Sequence, residues 1–206
     1  MEFLTAGVVL GLSAGLSPGP LLALVLAQTL QFGAREGIKV ALAPLVTDGP
    51  IILLSVYVVG RLAVVPGALA AISLCGGVFV LSLAYQNLRA TSLVLTAQRP
   101  GRGALVKGVL VNALSPHPYL FWLTVGAPTI AKAAAENQFL GVLFVGSFWG
   151  CLVGSKVCLA TLVGRSRHQL SDRAYCTVMR VLGLLLVAFA GLLIYDGCKI
   201  IAGRGA

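Results

Sequence analysis

The sequence of 206 residues predicts an all-α integral membrane protein with six transmembrane helices. They form two inverted three-helix repeats, with helices 1 and 4 broken at prolines. Three observations lead there. Hydrophobic residues make up 58% of the chain and charged residues 10%, with a mean hydropathy of +0.98, whereas soluble domains carry about 25% charged residues. Several apolar runs exceed the ~20 residues that a helix needs to cross a ~30 Å hydrocarbon core. Finally, one phrase occurs twice: Leu16-Ser17-Pro18-Gly19-Pro20-Leu21-Leu22 returns, 98 residues on, as Leu114-Ser115-Pro116-His117-Pro118-Tyr119-Leu120.

The first span covers 3–34, has no charged side chain and contains the first phrase. Two prolines at i, i+2 remove two backbone donors and clash with the preceding turn, so the helix breaks there. The second span, 40–60, carries one charge, Asp48; the third, 62–88, carries none. The fourth, 108–131, is free of Asp, Glu, Lys and Arg and contains the second phrase, with Pro116 and Pro118. Lys156 is the one charge in the fifth span, 137–164. The sixth, 181–195, is short alone but continues outward past Arg180 and Asp196. Residues 1–98 form the first repeat and 99–206 the second, in a single membrane domain. Three spans per half make the second half enter the membrane in the opposite sense, as in inverted-repeat transporters. Gly7, Gly11 and Gly15, like Gly146, Gly150 and Gly154, recur at i, i+4, i+8, a spacing that lets helix backbones approach closely.

The net charge of +9 is a topology signal. Ten of the 15 basic residues fall in or beside the first, third and fifth connections: Arg35 and Lys39; Arg89, Arg99, Arg102 and Lys107; Arg165, Arg167, Arg173 and Arg180. The positive-inside rule places those connections in the cytosol and both termini outside. This distribution argues against nucleic acid as a partner. The start, Met1-Glu2-Phe3, lacks a basic leader and the first apolar run is too long for a cleaved signal, so none is expected. Cys75, Cys151, Cys158, Cys176 and Cys198 include no Cys-x-x-Cys pair and no metal-ligand spacing. No disulfide framework, metal centre or cofactor is expected.

Two features carry the chemistry. At each break, carbonyls lose their amide partners, and in hydrocarbon they must find water, protein donors or a ligand. Pro18 and Pro20 release the carbonyls of Ala14 and Leu16; Pro116 and Pro118 release those of Asn112 and Leu114. A new half-helix then begins, with free N–H groups and a positive dipole end suited to a carboxylate. Ser17 and Ser115 stand where a capping hydroxyl would. One break therefore offers carbonyls to an ammonium and amides to a carboxylate, and an amino acid carries both. The second feature is depth. Asp48 lies nine residues beyond Lys39, Lys156 nine before Arg165, and His117 ten beyond Lys107. At 1.5 Å per residue each sits roughly 14 Å from the cytosolic edge, near the bilayer midplane. Ionisable groups at that depth are functional candidates by default. Asp48 can bind a proton or a substrate amine, and His117 can join a proton relay. Lys156 can meet a carboxylate or form a structural ion pair with Asp48. Asn112 completes the candidate set of Ser17, Pro18, Gly19, Pro20, Asp48, Asn112, Ser115, Pro116, His117 and Lys156.

Four stretches carry a family resemblance. Gly15-Leu16-Ser17-Pro18-Gly19-Pro20 resembles the first-span signature of LysE/RhtB-type amino-acid exporters. Phe32-Gly33-Ala34-Arg35-Glu36-Gly37 followed by Asp48-Gly49 is similar to that family's entry to the second span with its embedded aspartate. Tyr85-Gln86-Asn87-Leu88-Arg89 resembles its third-span ending, and Asn112-Ala113-Leu114-Ser115-Pro116-His117 its fourth-span motif. Members often have Asn-Pro-Lys where this chain has Ser115-Pro116-His117, so Lys156 becomes the candidate to supply the missing cation. The resemblance implies efflux of amino acids or similar small metabolites by proton antiport across the plasma (inner) membrane, by a homodimer with no enzymatic activity. A metal-ion or other small-ion exporter of the same superfamily is the alternative. A membrane thiol–disulfide carrier is a third class, disfavoured because no cysteine stands at either break.

Overall fold

The first proline phrase splits the opening apolar run into α1 (Glu2–Leu16) and α2 (Pro20–Phe32), bent by 61° relative to each other. The computed structural model describes residues 1–59, 66–88, 103–166 and 172–202. Ser17 closes α1, its amide bonding the Ser13 carbonyl at 2.9 Å, and Pro20 restarts the helix where a missing N–H costs nothing. Gly33, at φ 100°, makes the sharp turn into α3 (Ala34–Ala41), which leads through Leu42 into α4 (Ala43–Val59). A side chain there would be strained, because positive φ is the region that favours glycine.

After α5 (Pro66–Leu88), α6 (Ala104–Ala113) runs up to the second phrase. The chain restarts as α7 (Pro116–Phe121), widens into a π-helical turn (Trp122–Gly126) and continues as α8 (Ala127–Glu136). Two long helices follow, α9 (Gln138–Ser166) and α10 (Asp172–Ala202). No strand occurs among the described residues.

Three stretches are long and apolar enough to cross a membrane: Ala34–Tyr57, Gln138–Ser166 and Cys176–Ala202. The bent pair α1–α2 makes a fourth if it is counted as one span, and Leu74–Tyr85 and Ala104–Ala113 are shorter apolar helices. This is a multi-pass membrane protein. Apolar side chains such as Leu53, Val78 and Val142 stand exposed on its outer faces, as contact with lipid requires. Several sequence expectations lie outside the described residues: the repeat boundary at 98/99, Arg89, Arg99, Arg102 and Arg167.

Two apolar cores organise the bundle. One joins Leu24, Val40, Ala84, Val111, Met179 and Leu186 from α2, α3, α5, α6 and α10. The other joins Phe3, Ile51, Trp122, Phe144, Phe148 and Leu152 from α1, α4, the π turn and α9. The glycine face of α1 is what seats it on α9. A Cβ on Gly11 would lie 2.5 Å from the Phe148 carbonyl oxygen, and one on Gly7 would collide with Ser147. The matching stripe Gly146, Gly150 and Gly154 faces away, with nothing within 4 Å of an added Cβ. Equal spacing in sequence thus serves packing on one helix only.

Candidate functional site

Where the two breaks approach each other the helices enclose a cavity of about 280 Å³. Its lining comes from both cores: Leu21 and Val111 from the first, Trp122, Phe148 and Leu152 from the second. Of the ten candidates, Ser17, Pro18, Gly19, Pro20, Asp48, Asn112, Ser115, His117 and Lys156 line it. Pro116 is buried in the first turn of α7 and does not. His117 lines the cavity with an exposed side chain, whereas Asp48 and Lys156 are each only 3% exposed.

Asp48 sits in a nest of donors. Asn112 Nδ2 donates to Asp48 Oδ1 at 3.0 Å and contacts Thr47 Oγ1 at 2.6 Å. The Thr47 hydroxyl lies 3.4 Å from Asp48 Oδ1 and 3.2 Å from the Ala43 carbonyl, and has one proton to give to either. The indole N–H groups of Trp122 and Trp149 lie beside the same carboxylate; that of Trp149 is buried and makes no hydrogen bond. Burying a carboxylate costs several kcal/mol unless donors surround it; Thr47 of α4 and Asn112 of α6 reach it directly, with the indoles of the π turn and α9 alongside.

Lys156 does something the sequence did not indicate. Its ammonium donates to the carbonyls of Gly15 at 3.0 Å and Ala14 at 3.3 Å. Those are the last turn of α1, where Pro18 has removed an amide and the helix dipole is negative. The Ala14 carbonyl, one of the two expected to lie open to a substrate ammonium, is therefore already taken by a cation from α9. Nor does Lys156 form a direct ion pair with Asp48, the structural alternative; the described residues hold one salt bridge, Lys39–Glu36 at 2.6 Å. The second break is closed differently. Ala113, 98 residues after Gly15, gives its carbonyl to the Tyr119 hydroxyl at 2.9 Å, and the Ser115 amide bonds the Asn112 carbonyl at 3.3 Å. The expected serine caps are also corrected. Ser17 ends α1, leaving Gly19 as the N-cap of α2, and Ser115 precedes α7 without a side-chain cap bond. Capping by side-chain oxygen is unnecessary at Pro20 and Pro116, whose missing amides leave fewer orphan donors.

Sequence reading missed the aromatic wall. Phe121 and Phe148 stack with ring centroids 4.8 Å apart, and Trp122 meets Phe148 edge-on at 5.1 Å and Phe121 at 5.2 Å. All three line the cavity. The π turn starts at Trp122, and Gly126 leaves room for the indole, since a Cβ there would strike the ring. The available signal was position: Phe121-Trp122 follows the second phrase directly. Among the described residues no three His, Cys, Asp or Glu side chains form a metal-ligating group, and no disulfide joins the five cysteines.

Membrane-crossing helices, one of them broken, around a polar cavity define a membrane transport protein for small molecules. The LysE type translocator family matches residues 12–197, and the chain belongs to it. It is a transporter family, not an enzymatic one. No curated protein and no solved structure matches this chain.

Proposed function

We propose that this protein is a secondary active transporter that exports amino acids or related small metabolites across the plasma (inner) membrane in exchange for protons. The observation that carries the reading is a single cavity at which both proline breaks, a buried carboxylate and a buried ammonium meet. Asp48 is the coupling group: its carboxylate accepts either a proton or a substrate ammonium, so loading one releases the other. Asn112 and Thr47 hold the carboxylate oriented in both states. His117, the exposed ionisable member of the lining, passes protons between the cavity and water.

In this reading the six spans form two inverted three-helix repeats, 1–98 and 99–206, that rock about the cavity. The basic connections face the cytosol, both termini lie outside and the working unit is a homodimer. The test is transport by purified protein in proteoliposomes with an imposed proton gradient, supplied with each of the common L-amino acids in turn. At least one should move against its own gradient, with collapse of the proton gradient abolishing accumulation. Transport indifferent to the gradient would sink the antiport mechanism, and no movement of any amino acid would sink the substrate assignment.

A further inference from the structure

The geometry points to a narrower ligand class: a net-neutral zwitterion with an uncharged side chain, its ammonium held by Asp48 beside the Phe121–Trp122–Phe148 wall and its carboxylate turned to Lys156. This inference rests on the exporter reading above and narrows it.

Charge matching decides the class. Among the described lining residues the ionisable groups are Asp48, Lys156 and His117, and only the first two are buried. A charge taken from water is costly unless an opposite charge receives it. An amino acid with a neutral side chain brings one ammonium and one carboxylate, which match the two buried groups one for one. Lysine or arginine adds a cation with no second carboxylate to meet it, and glutamate adds an anion with no second ammonium. A simple amine or metal ion would leave Lys156 without a counterpart.

The assignment of poles follows from what is already occupied. Asn112 and Thr47 reach Asp48 through Oδ1, and the Trp122 and Trp149 indoles stand beside the same carboxylate; these donors are all neutral, so the carboxylate keeps its charge for a ligand ammonium. Phe121, Trp122 and Phe148 line the same cavity and add aromatic faces, which attract ammonium groups. Lys156 gives two of its three N–H donors to Ala14 and Gly15, which leaves one. Because its cation already sits on the Ala14 and Gly15 carbonyls, a second ammonium there would meet a like charge. At the second break the equivalent carbonyl is closed by Tyr119, a neutral hydroxyl, which adds no charge. Size and surface agree. About 280 Å³ is below the ~300–1,000 Å³ of drug-sized pockets, and Leu21, Leu22, Leu152 and Phe189 leave an apolar remainder for the ligand side chain.

The experiment is a thermal-shift titration of detergent-purified wild-type protein with L-leucine, L-threonine, L-lysine, L-glutamate, L-leucinamide and 4-methylpentanoate. The last two lack the carboxylate charge and the amine, respectively. Leucine or threonine should raise Tm saturably, and the other four should bind at least tenfold more weakly. In Lys156→Gln the preference for leucine over leucinamide should shrink; in Asp48→Asn its preference over 4-methylpentanoate should shrink. The wild-type series stands even if a variant fails to fold. Lysine or glutamate binding as well as leucine, or leucinamide matching it, would overturn the inference and leave the exporter reading intact. No response to any amino acid, together with no amino-acid movement in proteoliposomes, would overturn both.

Discussion

At each break, a carbonyl in the last turn before the prolines is closed by a side chain, and the two closures differ in charge. Lys156 serves Ala14 and Gly15 from another helix; Tyr119 serves Ala113 from the next half-helix. Losing a buried partner costs about 1–3 kcal/mol and an ordinary hydrogen bond about 1 kcal/mol. Lys156→Met should therefore destabilise by about 1–3 kcal/mol and reduce transport at least tenfold. Tyr119→Phe should cost about 1 kcal/mol and leave transport within a few-fold. Denaturation in detergent and transport rates check both; equal losses in the two variants would remove the distinction. Asp48, Lys156 and the prolines were legible in the sequence because charges and helix breakers stand out in hydrocarbon. The aromatic wall was not, because Phe and Trp suit lipid as well as a lumen. The partners of Lys156 were not legible either, since 141 and 142 residues separate it from the carbonyls it bonds.

Between helices, small residues decide who touches whom. Gly11 on α1 lies against α9 with no room for a Cβ, whereas Gly150 on α9 faces open space. Gly11→Leu should separate the two helices and lower Tm by many degrees, while Gly150→Leu should stay within about 0.5 kcal/mol of wild type. Comparable losses in both variants would show the outward stripe to be packed. Gly76 of α5 offers a second check. A Cβ there would collide with the Leu114 carbonyl at the second break, so Gly76→Ala should impair transport more than its size suggests. Both helix breaks were legible, because Pro-x-Pro leaves little choice. Their exact form was not. α2 restarts at the second proline of its phrase and α7 at the first of its own, and the π turn follows only the latter. Packing around Trp122 sets those details, and the local sequence does not encode it.

Across the whole chain, the 15 basic residues bear on orientation and the six intervening apolar runs on span number. Among the described residues three helices are long and apolar enough to cross unaided, and the bent α1–α2 pair makes a fourth if counted as one span. Single cysteines at positions 2 and 107 of a cysteine-free variant test the orientation. An impermeant maleimide should label position 2 in intact spheroplasts and position 107 only after lysis; the reverse pattern would invert the topology. In the proposed antiport one buried carboxylate exchanges a proton for substrate inside the cavity formed by both breaks. Substrate-stimulated proton movement in proteoliposomes tests it most directly, with wild type and Asp48→Asn at equal reconstituted amounts. Wild type should release protons into the lumen or medium as substrate crosses, and Asp48→Asn should lose at least nine-tenths of that flux. Undiminished coupling in Asp48→Asn would show that Asp48 does not exchange the proton.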